Sequence, residues 1–292
     1  MLLFPTKNEK FWEDAWLDAI KQPLEHEEDD EKNEAKNIRR WDRKAAGFAD
    51  KTRSREALER KEKILCMLKD VGALTTGSTV LDIGAGPGNW AIPMAQAGAV
   101  VRALEPSTEM IKVLKMRADE KGVGHNIDID QRTWQKVDVE KEGLAGKFDL
   151  VFASMTPGIS NPENLRNAMK ASRAFCYLSS FSGGGWRTGY KEIWKDLTGQ
   201  EIPSHAGDFI YPFNYIYALG YRPRIEFNMW EEEREESIEE AFESILFFVH
   251  GNADVTPETK KKLTAYLEDH SENGIFRFKH NICHGIMLWR VA

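Results

Sequence analysis

The sequence predicts an α/β protein with a doubly wound, mostly parallel sheet and helices on both of its faces. From residue 77 onward, short apolar runs alternate with amphipathic segments, which is the pattern of repeated βαβ units. The first two of these runs each end at a carboxylate, and a glycine-rich turn follows the first. With 292 residues, 41% of them hydrophobic, the chain can form one large domain with additions or two small ones.

Five strands are expected in the first half of this pattern, near residues 79–83, 99–104, 126–130, 148–153 and 174–181. The helix before the fifth strand has a clear start signal, because Asn161 can cap it and Pro162 suits its first position. Later elements are expected to be a helix near 210–219, a sixth strand over Arg224–Trp230, a helix after the acidic run Glu231–Glu240, and a last strand over Ile286–Val291. The last strand could also run antiparallel to its neighbours.

The expected organisation is an N-terminal helical extension, residues 1–76, followed by a main domain, residues 77–292. Phe11, Trp12 and Trp16 recur at helical spacing, so one amphipathic helix is expected to dock through them. The main domain is expected to contain a ligand-binding half at 77–182, an insertion at about 183–209, and further helices and strands at 210–292.

The most informative segment is the strand, glycine-rich turn and helix start over Val80–Ala91. Glycine has no Cβ and tolerates positive φ, so a ligand can lie close to the backbone of such a turn. The helix that follows points free N–H groups into the same crevice. The glycines are spaced G-x-G-x-G, and Asn89 stands where the dinucleotide-binding pattern G-x-G-x-x-G has its last glycine. A tightly packed junction without a ligand is the alternative interpretation.

A second carboxylate, Glu105, ends the predicted strand at 99–104. It lies about 20 residues after the glycine-rich turn, which is the distance that one helix and one strand consume in a βαβ unit. Glu105 is therefore expected beside the turn, where its oxygens can accept both ribose hydroxyls of an adenosine-containing ligand. A solvated surface glutamate is the alternative.

The glycine-rich turn with Asp82, the acid at Glu105 and the run Phe148–Met155 together resemble class I S-adenosylmethionine-dependent methyltransferases. The resemblance covers residues 77–182 and returns weakly at 210–230 and 284–292. It implies a seven-stranded, doubly wound sheet and an enzyme that uses S-adenosylmethionine and releases S-adenosylhomocysteine. It is closest in style to small-molecule methyltransferases.

The resemblance implies contacts with the cofactor at Asp82, Gly84, Ala85, Gly86, Gly88, Asn89, Trp90, Glu105, Pro106, Ser107, Thr133, Trp134, Ala153, Ser154 and Met155. Trp134 could stack on adenine or be a half-buried aromatic residue. The segment Trp41–Phe48 is similar to one that lies over the cofactor in small-molecule members, and helix packing is its alternative role. The basic residues Lys112, Lys115, Arg117 and Lys121 are expected only to coat a helix.

No catalytic residue can be assigned from the sequence. A general base matters only if the acceptor must lose a proton. The candidates for such a base are His205, Tyr211 and His250, with Tyr190 as a further possibility. An apolar acceptor pocket could be formed by Trp186, Phe209, Tyr211, Phe213 and Tyr215, although a hydrophobic core under the insertion explains them equally.

Charge and cysteine content limit the partners. A formal net charge of −7 opposes general affinity for nucleic acid, so the expected partner is a small-molecule methyl acceptor. Three scattered cysteines suggest neither a disulfide framework nor a metal site and favour a reducing cytoplasm. No apolar stretch approaches membrane-spanning length, so no membrane association is expected. A monomer or a homodimer is compatible with the sequence.

Three other functions stay open at this stage. A methyltransferase acting on RNA, DNA or protein is opposed by Ser154-Met155-Thr156-Pro157, which differs from the Asn/Asp-Pro-Pro-Tyr motif of amino-directed nucleic-acid enzymes. A nucleotide-binding oxidoreductase is opposed by Asn89. A protein that binds the cofactor without turnover would carry the same cofactor motifs.

Overall fold

A computed structural model describes residues 8–21, 34–35, 37–39, 41–43, 45, 55–183, 188–199, 207–249 and 255–291. The chain forms two compact units, each assembled from separate stretches. We call Glu28–Ser179, Leu219–Arg224 and Met287–Ala292 the core unit, and Met1–Glu27, Ser180–Ala218 and Ile225–Ile286 the second unit.

Nine α-helices have both ends within the described residues: α1 (Glu9–Lys21), α2 (Arg55–Asp70), α3 (Ala91–Gln96), α4 (Thr108–Glu120), α5 (Pro162–Ala171), α6 (Thr188–Thr198), α7 (Ile210–Ala218), α8 (Ile238–Val249) and α9 (Pro257–Asp269). The described residues between 34 and 45 are also helical. The described part of the chain contains eight strands: β1 (Thr79–Ile83), β2 (Val100–Leu104), β3 (Ile127–Asp130), β4 (Phe148–Ser154), β5 (Ser172–Phe181), β6 (Arg224–Ser237), β7 (Ser271–Glu272) and β8 (Ile275–Arg290). None of these helices is both long and apolar enough to cross a membrane.

The core unit has a parallel sheet in the order β3-β2-β1-β4-β5. The chain moves outward from β1 through β2 to β3 and then returns to the other side of β1 with β4. The order therefore reverses between β1 and β4, which is the topological switch point where open α/β sheets bind ligands. The end of β8 lies beside β5, where the Val291 N–H donates to the Ala174 carbonyl at 2.8 Å.

Local sequence signals explain these elements. β1 is a short apolar run with all residues after Thr79 buried, as expected for a central parallel strand. α5 starts where predicted: the Asn161 side chain accepts the Asn164 N–H at 2.8 Å, and Pro162 follows the cap. The five strand positions predicted for the first half of the alternating pattern are confirmed to within two residues at each end.

The second unit contains a helical layer with its own hydrophobic core. Trp16 on α1 packs edge to face against Tyr215 on α7, with ring centroids 6.3 Å apart. Another buried cluster joins α6, α8 and α9 to β8 and includes Trp194, Ile245 and Phe276. β6 is paired with β8, and β7 forms a short antiparallel pair with the start of β8.

The prediction of seven strands was wrong, because eight are present in the described residues. The sixth strand was expected to end at Trp230, before an acidic run leading into a helix, but β6 continues through this run to Ser237. Cross-strand ion pairs compensate the glutamates: Lys279 contacts Glu231 at 2.8 Å and Arg277 contacts Glu235 at 2.7 Å. The last strand is also longer than predicted: it begins at Ile275 rather than near residue 286, because it pairs with the extended β6.

Two of the observed helices were not predicted from the sequence. α6 lies within the stretch expected to be an insertion, and α9 fills residues for which no element was predicted. The positions of Phe48, Trp186, His205 and His250 lie outside the described residues.

Candidate active site at the switch point

The glycine-rich turn after β1 is attached to the end of β2. The N–H groups of Gly84 and Ala85 both donate to the Leu104 carbonyl, at 2.8 and 3.1 Å. The Gly88 N–H then donates to the Ala85 carbonyl at 3.1 Å, which closes the turn before α3 begins. These backbone bonds hold the turn against the end of β2, and because the turn follows β1 it lies next to the switch point.

All three glycines of this turn have positive φ, but the space beside them differs. A Cβ on Gly84 would overlap with the Thr156 side chain, and one on Gly88 would lie 2.8 Å from the Ile92 side chain. Both glycines therefore allow close packing. At Gly86, whose φ is +55°, an added Cβ would meet none of the described residues within 4 Å. Among the described residues, Gly86 is thus the glycine of this turn that has open space beside it.

Glu105 lies directly beside this open position. Its Oε2 accepts the Gly86 N–H at 2.8 Å, and its Oε1 accepts the Ser107 N–H at 2.8 Å. The residue is only 7% exposed, and burial raises the pKa of its carboxyl group although both N–H donors act in the opposite direction. Each carboxylate oxygen has a second lone pair, so Glu105 can accept further hydrogen bonds from a ligand.

Asp82 is the second buried carboxylate of the site. It is 1% exposed and accepts the backbone N–H of Ala91, the first residue of α3. Its Oδ2 has no hydrogen-bond partner among the described residues. Burial, and then the nearby Glu105, raise the pKa of Asp82 to about 8. A buried carboxylate with an unsatisfied oxygen is costly unless a donor or cation satisfies it.

Ser107 caps α4 and ties an upstream segment to the site. Its Oγ accepts the Met110 N–H at 3.2 Å and donates to Asp42 Oδ1 at 2.6 Å. Asp42 also accepts the Glu109 N–H at 3.2 Å. The described part of the predicted covering segment Trp41–Phe48 is thus anchored beside Glu105 through Asp42, a contact that the sequence did not suggest.

The residues after β3 make contacts within the protein. Trp134 is 3% exposed, and its Nε1 donates to the Asn164 carbonyl at 3.0 Å. Its indole belongs to the core, which favours the packing interpretation over stacking on adenine. Thr133 donates to Glu34 Oε1 at 3.4 Å. On the other side of the turn, the half-buried Trp90 packs against Phe152 with ring centroids 5.0 Å apart.

The end of β4 is strained where it reaches the switch point. Ser154 Oγ lies 3.0 Å from Ser179 Oγ, and the Met155 N–H donates to the Ser179 carbonyl at 3.0 Å. Met155 has a φ of +52°, a left-handed conformation that costs a residue with a side chain about 1–3 kcal/mol. Ala153 is buried, so Ser154 and Met155 are the more accessible of the three predicted residues. Strain of this kind clusters at functional sites.

No catalytic base is assigned among the described residues. Tyr211 lies on α7 in the second unit, and Tyr190 is buried with its hydroxyl 3.4 Å from Glu236 Oε2. His205 and His250 lie outside the described residues. The carboxylates beside the turn are Asp82, Glu105 and Asp42, and all three hold backbone or hydroxyl donors of the chain.

Comparison with known proteins identifies the fold at this site. Residues 80–176 match the sequence model of a family described as methyltransferase domain. A candidate methyltransferase from Bacillus halodurans, solved as a crystal structure, superposes with a TM-score of 0.50 at 15% identity, over 78% of this chain and 98% of that chain. Residues 80–176 are therefore similar to a methyltransferase domain, and the chain shares the fold of that solved structure.

Proteins of similar sequence are named for different functions. An uncharacterized protein of Haemophilus influenzae is 22% identical over 253 residues, which cover 86% of each chain. A mitochondrial ribosomal RNA small subunit methyltransferase of Arabidopsis thaliana is 29% identical over 41% of this chain and 34% of its own length. A ubiquinone biosynthesis O-methyltransferase of Erwinia tasmaniensis is 34% identical over 32% of this chain and 36% of its own. The last two matches therefore span only about a third of those enzymes.

S-adenosylmethionine is the methyl donor of this class, and the residues of the site fit it. Gly86 leaves open space beside a carboxylate with free lone pairs, and the unsatisfied Asp82 Oδ2 is buried next to them. Hydroxyls of a ribose are donors whose hydrogen bonds Glu105 can accept.

Proposed function

We propose that the protein transfers the methyl group of S-adenosylmethionine to a small-molecule acceptor. The observation that carries the proposal is the open space at Gly86 beside the buried Glu105, at the switch point of a methyltransferase domain. The fifteen residues named from the resemblance are proposed to surround the cofactor, except that Trp134 contributes through the core and Asn89 through the turn.

The proposed roles follow from the geometry. Glu105 binds ribose hydroxyls while it holds the Gly86 and Ser107 amides in place. Ser154 and Met155 at the strained end of β4 face the methyl group, and Thr156 packs against Gly84 to close that side. When bound, the cofactor supplies an already activated methyl group, so these residues contribute approach, alignment and exclusion of water.

The acceptor class is proposed from charge and motif. A net charge of −7 opposes a polyanionic substrate, and Ser154-Met155-Thr156-Pro157 after β4 is not the motif of amino-directed nucleic-acid enzymes. The matched residues 80–176 cover the cofactor half, so we propose that acceptor selectivity resides in the N-terminal extension, residues 1–76, and in the sequence after residue 182. The three cysteines are free thiols, which supports a cytoplasmic location.

An RNA acceptor is the second candidate, because one relative is named as a ribosomal RNA methyltransferase. A steep fall of affinity for RNA with salt would reveal it, since phosphate contacts release counterions. The protein should instead show weak, sequence-independent RNA binding, measured by fluorescence anisotropy at two salt concentrations. Tight, strongly salt-dependent binding would overturn the small-molecule proposal.

The first test is calorimetric titration of the full chain with S-adenosylmethionine and S-adenosylhomocysteine, with NAD as the control. Binding of the first two alone is expected, followed by a screen of carboxylic acids, phenols, amines and thiols for methyl transfer. Absence of binding by either sulfur compound would refute the proposed function. Binding without turnover across the screen would favour a cofactor-binding protein.

A further inference from the structure

Arg117, in the last turn of α4, reaches back to the glycine-rich turn. Its Nη1 donates to the Pro87 carbonyl at 2.7 Å and to Asn89 Oδ1 at 2.9 Å. Both acceptors lie within the turn, between Gly86 and the start of α3. The sequence assigned Arg117 to a solvated helix face, because helical periodicity reports the face of a residue but not the reach of its side chain.

The opposite edge of the turn is held by Glu105, which accepts the Gly86 N–H at 2.8 Å. The turn is therefore fixed from both sides, by a carboxylate at Gly86 and by a guanidinium at Pro87 and Asn89. Three of its residues, Gly84, Gly86 and Gly88, have positive φ. Glycines lose more conformational freedom on ordering than any other residue, so such a turn needs external restraints to keep one conformation.

This contact explains why an asparagine is present at position 89. It is 8% exposed, and its side-chain oxygen points to Arg117 rather than to open space. A glycine at this position, as in the dinucleotide-binding pattern, would offer no side-chain acceptor. The cation also lies in the last turn of α4, where the helix dipole favours positive charge.

We propose that Arg117 is a positioning residue that holds the glycine-rich turn in its cofactor-binding conformation before the cofactor arrives. Because Arg117 donates to Pro87 and Asn89, we infer that it acts through these two residues of the turn and not on the methyl group. The inference rests on the proposed function, because it assigns the turn to the cofactor. Preorganisation of this kind lowers the entropy lost on binding.

The test compares Arg117→Met and Arg117→Lys with a matched control, Arg173→Met. Arg173 also makes two short bonds within the core unit, to Asp149 Oδ1 and Oδ2 at 2.7 Å each, but at the amino ends of the strands. Arg117→Met is expected to weaken S-adenosylhomocysteine binding about tenfold, with a less favourable binding entropy, and Arg117→Lys about threefold. Arg173→Met is expected to leave the dissociation constant unchanged.

Amide hydrogen exchange separates positioning from loss of fold. In ligand-free Arg117→Met, exchange of the backbone amides over residues 84–89 should accelerate while β1 and β4 stay protected, and S-adenosylhomocysteine should restore the protection. Asn89→Ala should weaken binding less, and the double variant with Arg117→Met should lose less than the two single losses combined, because both remove one contact.

Three results would overturn the inference. One is wild-type affinity in folded Arg117→Met, and another is equal weakening by Arg173→Met. The third is unchanged exchange of the turn, which decides the question even if Arg117→Met is unstable and only Arg117→Lys can be studied. If the wild-type protein binds no S-adenosylhomocysteine, the proposed function fails, while the exchange measurement still decides whether Arg117 holds the turn.

Discussion

Carboxyl groups at the two ends of the same parallel sheet have opposite environments and opposite pKa shifts. At the amino ends, Asp149 accepts two bonds from Arg173 and further bonds from Thr79, and the Arg173 guanidinium lowers the pKa of Asp149 to about 2. At the carboxyl ends, Asp82 is buried with no cation in contact among the described residues, and its pKa is raised to about 8. The carboxylate is paired with a guanidinium at one end, whereas at the other end Asp82 Oδ2 has no partner among the described residues.

The largest effect that tests this contrast is expected at Gly86. In Gly86→Val, a branched side chain fills the open space of the ligand and forces an unfavourable φ, so S-adenosylhomocysteine binding should fall more than about 100-fold. The measurement is calorimetric titration. The control is Gly143→Val, because Gly143 also has positive φ and open surroundings but precedes the amino end of β4. Equal loss of binding in both variants would mean that strain, and not ligand space, explains the result.

Glu105 should give the next largest effect. Glu105→Ala removes charge-assisted hydrogen bonds to ribose and releases the Gly86 and Ser107 amides, so binding should weaken by about 1–3 kcal/mol. Titration with S-adenosylhomocysteine checks this, and comparison with adenine alone, which has no ribose, should show a smaller loss. A variant that binds normally but has lost turnover would place Glu105 in a different role.

The raised pKa of Asp82 predicts that the protein becomes less stable as pH rises. Its folded pKa of about 8 exceeds the unfolded value, so the folded state holds a proton that the unfolded state releases, and the free energy of unfolding falls as pH rises between about 4 and 8. In Asp82→Asn this fall should be smaller, as measured by thermal unfolding without ligand at pH 5 and pH 8. Identical pH profiles for the variant and the wild-type protein would contradict a protonated Asp82.

The smallest effect is expected at the ion pair between Asp149 and Arg173, at the amino ends of the strands. Asp149→Asn removes a carboxylate whose folded pKa lies below the unfolded value, so its contribution is present above about pH 4 and is lost as pH falls toward 2. Because the pair is partly exposed, with relative side-chain exposures of 50% for Arg173 and 29% for Asp149, the variant should lose only about 0.2–1 kcal/mol of stability at pH 7. Cofactor affinity should not change, and denaturant unfolding with parallel titration tests both statements.

The strands of the core unit could be predicted because each is a short apolar run bounded by a turn signal, so local information is sufficient. β6 could not, because its second half, Glu231–Ser237, is polar and reads as a solvated run. Only the cross-strand contacts of Glu231 and Glu235 with Lys279 and Arg277 explain a strand there. Trp134 shows the same limit at the site, since its burial depends on the Asn164 carbonyl 30 residues away.

By itself, the sequence determined the glycine-rich turn, the two carboxylates that end β1 and β2, and the cofactor class that they suggest, because these features are spaced within one βαβ unit. The tertiary structure decided what each of them does. Among the described residues, it showed that a Cβ would meet no neighbour at Gly86 alone of the three glycines, that Asp82 Oδ2 lacks a hydrogen-bond partner, and that Arg117 donates to Pro87 and Asn89 in the turn. Those properties depend on contacts between residues far apart in the chain, and periodicity and spacing carry no information on such contacts.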